Sequence, residues 1–327
     1  MRKFMLLLML VVVAVTLPAQ AQKKATLPPD AKRVIFLGDS ITYGGTYTAL
    51  IEAYFVTRAP ERAVEFINVG LASETVSGLS EPNHAGGKFP RPDLHERLAR
   101  VLAQTKPDLI FTCYGMNDGI YLPFEAGRFK AFQDGIQRLR DAAQKAHAQV
   151  IHVTPPCYDS LRSKNAAYTE TLERYAAWLL DQRKQGWQVV DINGPMTAYL
   201  KEQRKANPNF MLQNDGVHPG ELGHWLMAKN ILLGLGAEDI KDAAGAQQMV
   251  TALPQGAHLL KLVEKREQLL RSAWLTATGH KRPGVSAGLP LPEAQAKARV
   301  LTDEIAAART ADKLLPPEVK TNGKKDK

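Results

Sequence analysis

Cysteine is almost absent from this 327-residue chain, with only Cys113 and Cys157 present, and that scarcity excludes a disulfide scaffold. The two stand near the ends of neighbouring predicted strands, a placement open either to a bridge in an oxidising compartment or to two buried thiols. No HExxH, CxxC or phosphate-binding GxxxxGK[ST] pattern occurs, so neither a metal nor a nucleotide cofactor is expected. Also missing is any dense Lys/Arg stripe with interleaved aromatics, which makes nucleic acid a poor partner. The formal charge is +9, of which Arg2 and Lys3 supply two and residues 311–327 a net two more, leaving five over the rest of the chain. No repeat of solenoid spacing is present.

What is present is an ordinary globular composition, 45% apolar, enough for a substantial core. Arg2 and Lys3 precede an uncharged run over residues 4–17, and Ala19-Gln20-Ala21 follows with small side chains. That order of charge, apolar run and small residues predicts a cleavable signal peptide over residues 1–21 and a secreted or periplasmic protein. The run is short for a spanning helix, and no cysteine stands at the cleavage site to take a lipid, so no stable membrane insertion is expected after cleavage.

Residues 22–32 read as a proline-containing leader. Short apolar strands follow at residues 33–37, 64–68, 109–114, 150–153 and 188–191. Helical periodicity runs between and after them at residues 47–56, 94–102, 129–143 and 221–235, the third with Phe129, Phe132, Ile136, Leu139 and Ala143 at three- and four-residue steps. Strand alternating with helix predicts an α/β fold, a parallel sheet covered on both faces, over residues 33–236. Beyond Gly236 the chain turns Ala-, Lys- and Glu-rich. Amphipathic patterns at residues 258–275 and 292–311 predict a helical extension over 237–311 docked on the main domain, and residues 312–327 read as a basic, disordered tail. Between the two patterns His280-Lys281-Arg282-Pro283-Gly284 reads as a loop.

Four segments combine into one chemistry. They are Gly38-Asp39-Ser40, Asn68-Val69-Gly70, Gly115-Met116-Asn117-Asp118 and Asp215-Gly216-Val217-His218-Pro219. The first three follow predicted strands, where open parallel sheets bind ligands. A serine hydroxyl is a weak nucleophile until a base takes its proton. His218 is the candidate base for Ser40, and Asp215, three residues earlier, can hold its imidazole. Asp39 and Asp118 are expected to accept backbone hydrogen bonds that fix their loops.

In order and spacing these segments resemble the four blocks of the SGNH (GDSL-type) hydrolase superfamily, over roughly residues 33–235. The resemblance implies a three-layer fold with a five-stranded, parallel, flavodoxin-like sheet. It also implies a catalytic Ser40, Asp215 and His218, and an oxyanion hole made by the backbone N–H groups of Ser40 and Gly70 and the side-chain amide of Asn117. Ile41 stands in place of the leucine of the GDSL name, and Ser73 in place of a second glycine of the second block, which predicts a bulkier pocket wall.

The irregular stretch over residues 80–92 is long enough to be functional. Candidate substrate-binding residues are Glu74, His84, Arg91 and Tyr121, with Phe89 and Tyr158 as further pocket-lining candidates. His95 and His147, placed on helices, His152 in a strand and His224 on the helix after the triad are read as structural. Together these features predict a secreted serine esterase acting on short acyl groups, chiefly O-acetyl, of a carbohydrate, through an acyl-enzyme on Ser40 and without cofactor. The rival activities are lysophospholipase, thioesterase, broad carboxylesterase and sugar O-acetyltransferase. A rival of another class, a glycan-binding protein on an inactive esterase scaffold, predicts loss of a triad or oxyanion residue, and none is lost.

Overall fold

The structure, a computed structural model, describes residues 23–162, 165–250, 253 and 255–310. The predicted signal peptide and basic tail lie outside the described residues. Five strands form one sheet in the order β2-β1-β3-β4-β5, and every pairing is parallel. In chain order the elements are β1 Arg33–Gly38, α1 Ser40–Gly44, α2 Thr46–Arg58, β2 Glu65–Asn68, α3 Leu94–Thr105, β3 Leu109–Cys113, α4 Ala126–Lys145, β4 Gln149–Val153, α5 Tyr168–Asp181, β5 Gln188–Val190, α6 Asn193–Ala206, α7 Glu221–Gly234, α8 Ala246–Val250, α9 Gly256–Thr278 and α10 Leu291–Thr310. This is the flavodoxin-like order, and its switch point lies between β1 and β3.

Alternation along the strands divides the core into two layers. Val34 and Phe36 of β1 join an apolar cluster with α2, α7 and α9, while Ile35 and Leu37 join one with α3, α4 and α5. Phe36 stacks on Phe66 of β2 at 6.3 Å and on Phe111 of β3 at 5.3 Å between ring centroids. Each such aromatic pair adds about 0.5–1.5 kcal/mol beyond burial alone, so the three strands that carry the first three sequence blocks are tied to one another beneath the site.

The extension is built into the first of these layers. Leu259, Leu262 and Val263 of α9 and Leu301 and Ile305 of α10 belong to the same cluster as β1 and α2. The leader is packed as well, with Ala25 and Leu27 buried and the Ala25 N–H donating to Tyr54 Oη at 2.9 Å. Cys113 and Cys157 are both buried free thiols, which settles the pairing left open by the sequence.

Candidate active site

Ser40 is the first residue of α1, immediately past the end of β1. The turn into it depends on close packing. A Cβ on Gly38 would lie 2.1 Å from Thr42 Oγ1 and 2.8 Å from the Cys113 carbonyl oxygen, and one on Gly70 would lie 2.5 Å from the Tyr43 nitrogen. Only glycine lets the ends of β1 and β2 sit against α1 this closely. Asp39 caps the helix, its Oδ1 accepting from the Ile41 N–H at 2.9 Å.

Ser40 Oγ lies 2.8 Å from His218 Nε2, and His218 Nδ1 lies 2.6 Å from Asp215 Oδ2. A carboxylate facing Nδ1 makes that nitrogen the donor, leaving Nε2 to accept the serine proton. The same aspartate shapes the loop, because Asp215 Oδ1 accepts from the N–H groups of Val217 at 2.9 Å and His218 at 2.7 Å. Burial pushes the Asp215 carboxyl up, but its hydrogen bonds to the His218 side chain and backbone outweigh that and hold it below its ordinary value. The site is open: the His218 and Asp215 side chains are 52% and 56% exposed.

Asn117 is buried and its amide is held at both atoms. Nδ2 donates to the Glu74 carbonyl oxygen at 3.1 Å, and Oδ1 accepts from Tyr121 Oη at 2.9 Å. An amide has two N–H donors, so one remains for a ligand. Tyr121 reaches Asn117 from a strained turn in which Ile120 and Tyr121 have φ of 48° and 56°, a conformation unusual for a β-branched residue. The Ser40 N–H stands at the start of α1, where helix geometry supplies no partner. The Gly70 N–H, by contrast, donates to Asn68 Oδ1 at 2.9 Å.

Asp118 ties the third block to the segment that follows the second. Its Oδ1 accepts from Val76 N and Ser77 N, each at 2.8 Å, and its Oδ2 from Gly115 N at 2.8 Å. Asp39 and Asp118 thus both accept backbone bonds, as expected. Burial raises their carboxyls to about 7 and about 6 respectively.

The expected substrate-binding residues fare differently. Glu74 is fully buried, its carboxylate taken up by Arg97 Nε at 2.6 Å, Arg97 Nη2 at 2.8 Å and Tyr114 Oη at 2.6 Å. It is therefore corrected from a substrate contact to an anchor beneath Asn117. Arg91 is also buried and grips Glu81 through two bonds of 2.7 Å, with its guanidinium 5.3 Å from the Tyr121 ring centre. It braces Tyr121. His84 lies 3.3 Å from Glu81 Oε1 and edge-on to Phe89, and Arg282 lies 5.4 Å from the Phe89 ring centre. The loop over residues 80–92 and the turn at 280–282 therefore form one surface. Tyr158 is buried beside Tyr121 and Tyr168. Ser73 takes φ of 66°, the left-handed conformation that favours the missing glycine.

His147, expected on a helix, lies beyond the end of α4 at Lys145, with φ of 60°. His152 stacks on Trp187 at 4.8 Å and is pushed down to about 3 by burial. Two contributors were missed. Tyr168 accepts from Gly119 N at 3.1 Å and donates to the Met116 carbonyl oxygen at 2.9 Å, fixing the third block. The Asn68 side chain governs Gly70. Tyr168 had an available signal, its helical spacing with Leu172, Tyr175 and Leu179, all buried. Among the described residues no group of three or more His, Cys, Asp or Glu side chains is placed to hold a metal ion.

A parallel sheet with a Ser–His–Asp hydrogen-bond chain at its carboxyl edge defines an α/β protein of the serine-hydrolase class. Residues 36–226 match the GDSL-like lipase/acylhydrolase family, and the chain belongs to that family, the ester-hydrolysing SGNH enzymes. A comparison with curated proteins found no match. Among solved structures the chain is similar to a gut microbial diltiazem-metabolizing enzyme, BT4096, at 24% identity and a TM-score of 0.52, over 66% of this chain and 49% of that one. The chain thus spans about half the length of that neighbour. It is also similar to a catalytic mutant of Axe2, an acetylxylan esterase from Geobacillus stearothermophilus, at 20% identity and a TM-score of 0.50, over 63% of this chain and 95% of that one. At these identities the likeness is one of fold. Among the described residues no helix is long and apolar enough to cross a membrane.

Proposed function

We propose that this enzyme is an exported serine esterase that removes short acyl groups, chiefly acetyl, from carbohydrate, with Ser40, His218 and Asp215 as its triad. His218 Nε2 takes the Ser40 proton as Oγ attacks the ester carbonyl. The carbonyl oxygen becomes an oxyanion held by the Ser40 N–H and the second Asn117 N–H. The Gly70 N–H joins them by sharing its hydrogen between Asn68 and the oxyanion. Collapse breaks the ester bond, and His218 returns the proton to the departing sugar oxygen, leaving an acyl group on Ser40. Water, deprotonated by His218, attacks that acyl-enzyme and releases the free acid and Ser40.

The observation that carries this reading is the chain of 2.8 and 2.6 Å bonds from Ser40 through His218 to Asp215. Its exposure favours a bulky, hydrated substrate over a long acyl chain, which needs an apolar tunnel to bury its methylenes at about 0.8 kcal/mol each. The name of Axe2 as an acetylxylan esterase agrees with the substrate class. Export rests on the charge, apolar run and small residues over 1–21. The test is a panel of acetylated sugars and synthetic acyl esters from two to about twelve carbons, a span chosen so that per-methylene burial would be visible. We expect turnover to be highest on acetyl and to fall with chain length; a maximum at long chains would support the lysophospholipase reading instead.

A further inference from the structure

The helical extension lies outside the family match over residues 36–226, yet one of its side chains reaches the catalytic turns. We propose that Glu267 of α9 is a positioning residue of the active site, fixing the Asn68 amide and through it the direction of the Gly70 N–H. This rests on the functional reading above, in which Ser40 and the Gly70 turn perform the chemistry.

Asn68 Nδ2 lies 2.6 Å from the Thr42 carbonyl oxygen, 2.6 Å from Glu267 Oε1 and 3.2 Å from Thr48 Oγ1. Thr48 Oγ1 can give its proton to the Gly45 carbonyl oxygen at 2.8 Å, which leaves it free to accept from Asn68. Every neighbour of Nδ2 is therefore an acceptor. Reversing the amide would set Asn68 Oδ1 against a carboxylate and a carbonyl, and would aim N–H at N–H on Gly70. With the amide fixed, Oδ1 is held 2.9 Å from the Gly70 nitrogen. The direction of one oxyanion donor is thus set by the Thr42 carbonyl together with a residue 199 positions from Asn68.

The carboxylate comes so close because residue 45 has no side chain. A Cβ on Gly45, which has φ of 86°, would lie 2.4 Å from Glu267 Oε2 and 2.7 Å from Arg271 Nη1. Arg271, one turn along α9, donates to the Gly44 carbonyl oxygen at 3.1 Å and lies 4.7 Å from the Tyr43 ring centre. So α9 holds α1, the helix that begins with Ser40, and the β2 turn that carries Gly70. Glu267 is only 7% exposed, and burial pushes its carboxyl up to about 7 against the opposing pull of Arg271. A buried carboxylate is expensive where a leucine would pack as well, so its presence calls for a role beyond packing.

The test uses the full chain and a small synthetic acetate ester, with kcat, KM and thermal stability measured together. Glu267→Met keeps the volume and removes the acceptor. We expect kcat to fall roughly 10- to 100-fold, less than for outright loss of an oxyanion donor, with KM changed less than about twofold because the donor matters chiefly in the transition state. Glu267→Gln retains an acceptor and should keep kcat within about threefold of wild type on the same reasoning. N68A/E267M should be no slower than N68A alone, since both break one chain of contacts. Lys265→Gln, on the exposed face of α9, is the control with unchanged kinetics. A folded Glu267→Met enzyme with wild-type kcat, or additive losses in the double variant, would overturn the proposal. If Glu267→Met does not fold, the swapped pair decides. Asn68→Asp should lose activity through the oxygens it sets against Glu267 and the Thr42 carbonyl, and N68D/E267Q, which relieves the first of these, should recover at least about tenfold, roughly the 1.4 kcal/mol of one such contact. No recovery overturns it. Ser40→Ala separates the two levels: a dead Ser40→Ala beside a normal Glu267→Met refutes this inference alone, whereas an active Ser40→Ala refutes the functional reading beneath it.

Discussion

Tyr121→Phe removes one oxygen atom and isolates one term of the proposed catalysis. The hydroxyl gives Asn117 Oδ1 a 2.9 Å hydrogen bond, while the ring keeps its own contacts, 5.0 Å to Tyr168, 6.2 Å to Tyr158 and 5.3 Å to the Arg91 guanidinium. Packing should survive the change. Asn117 retains its bond to the Glu74 carbonyl oxygen, so its amide is loosened but not released. A neutral hydrogen bond contributes about 1 kcal/mol net, and 1.36 kcal/mol is a factor of ten in rate, so kcat should fall about fivefold. That is well short of the hundredfold or more expected for Asn117→Ala, which removes the donor itself. Steady-state kinetics on a small acetate ester, with near-ultraviolet circular dichroism to confirm unchanged aromatic packing, make the measurement. An unchanged kcat, or a loss seen only as a higher KM, would refute the idea that Tyr121 acts by aiming Asn117.

Ser40→Ala and His218→Ala should each abolish hydrolysis and leave the unfolding temperature within a few degrees, while Asp215→Ala should retain a measurable fraction, because it orients the base without reacting. Resistance to thermal unfolding should weaken as pH rises. Burial holds Asp39 at about 7 against an ordinary 3.8, so the folded state keeps that proton more tightly than the unfolded chain, and the associated stability is full below about pH 4 and lost as pH passes about 7. Asp39→Asn should flatten part of that decline between about pH 4 and 7; an equally steep decline in the variant would count against it. Asp118 and Glu267, raised to about 6 and about 7, would supply the remainder. Arg282→Ala should slow hydrolysis of an acetylated oligosaccharide and spare a small acetate, since its guanidinium lies over Phe89 on the outer loop surface. Arg91→Ala should slow both substrates, because Arg91 braces Tyr121. Identical behaviour of the two arginine variants would argue against this division.

Much of the sheet was legible because each strand is a short run with an apolar centre, flanked by polar residues or glycine, as buried parallel strands tend to be. Gly38 and Asn68 close their strands in this way. Four helices escaped notice, the five-residue α1 and α8 and the longer α5 and α6. In α5 the buried Tyr168, Leu172, Tyr175 and Leu179 do recur at helical steps, but the stretch opens after a loop with no capping signal. In α6 only Asn193, Met196 and Leu200 are buried, too few apolar positions for a period to stand out, and Gly194-Pro195 reads as a turn. Side-chain partnerships were the least visible. The fate of Glu74 depends on Arg97, one helix later, and the orientation of Asn68 depends on Glu267 at the far end of the chain. Neither contact leaves a local pattern, since tertiary packing alone brings the partners together.

The proposed covalent acyl-enzyme on Ser40 is read most directly by intact-protein and peptide mass spectrometry after acid quenching of a reaction with a synthetic acetate ester. One acetyl group per molecule on the peptide containing Ser40, accumulating in Asp215→Ala and absent in Ser40→Ala, is the predicted result. Acetylation confined to another residue, or hydrolysis that persists in Ser40→Ala, would contradict it.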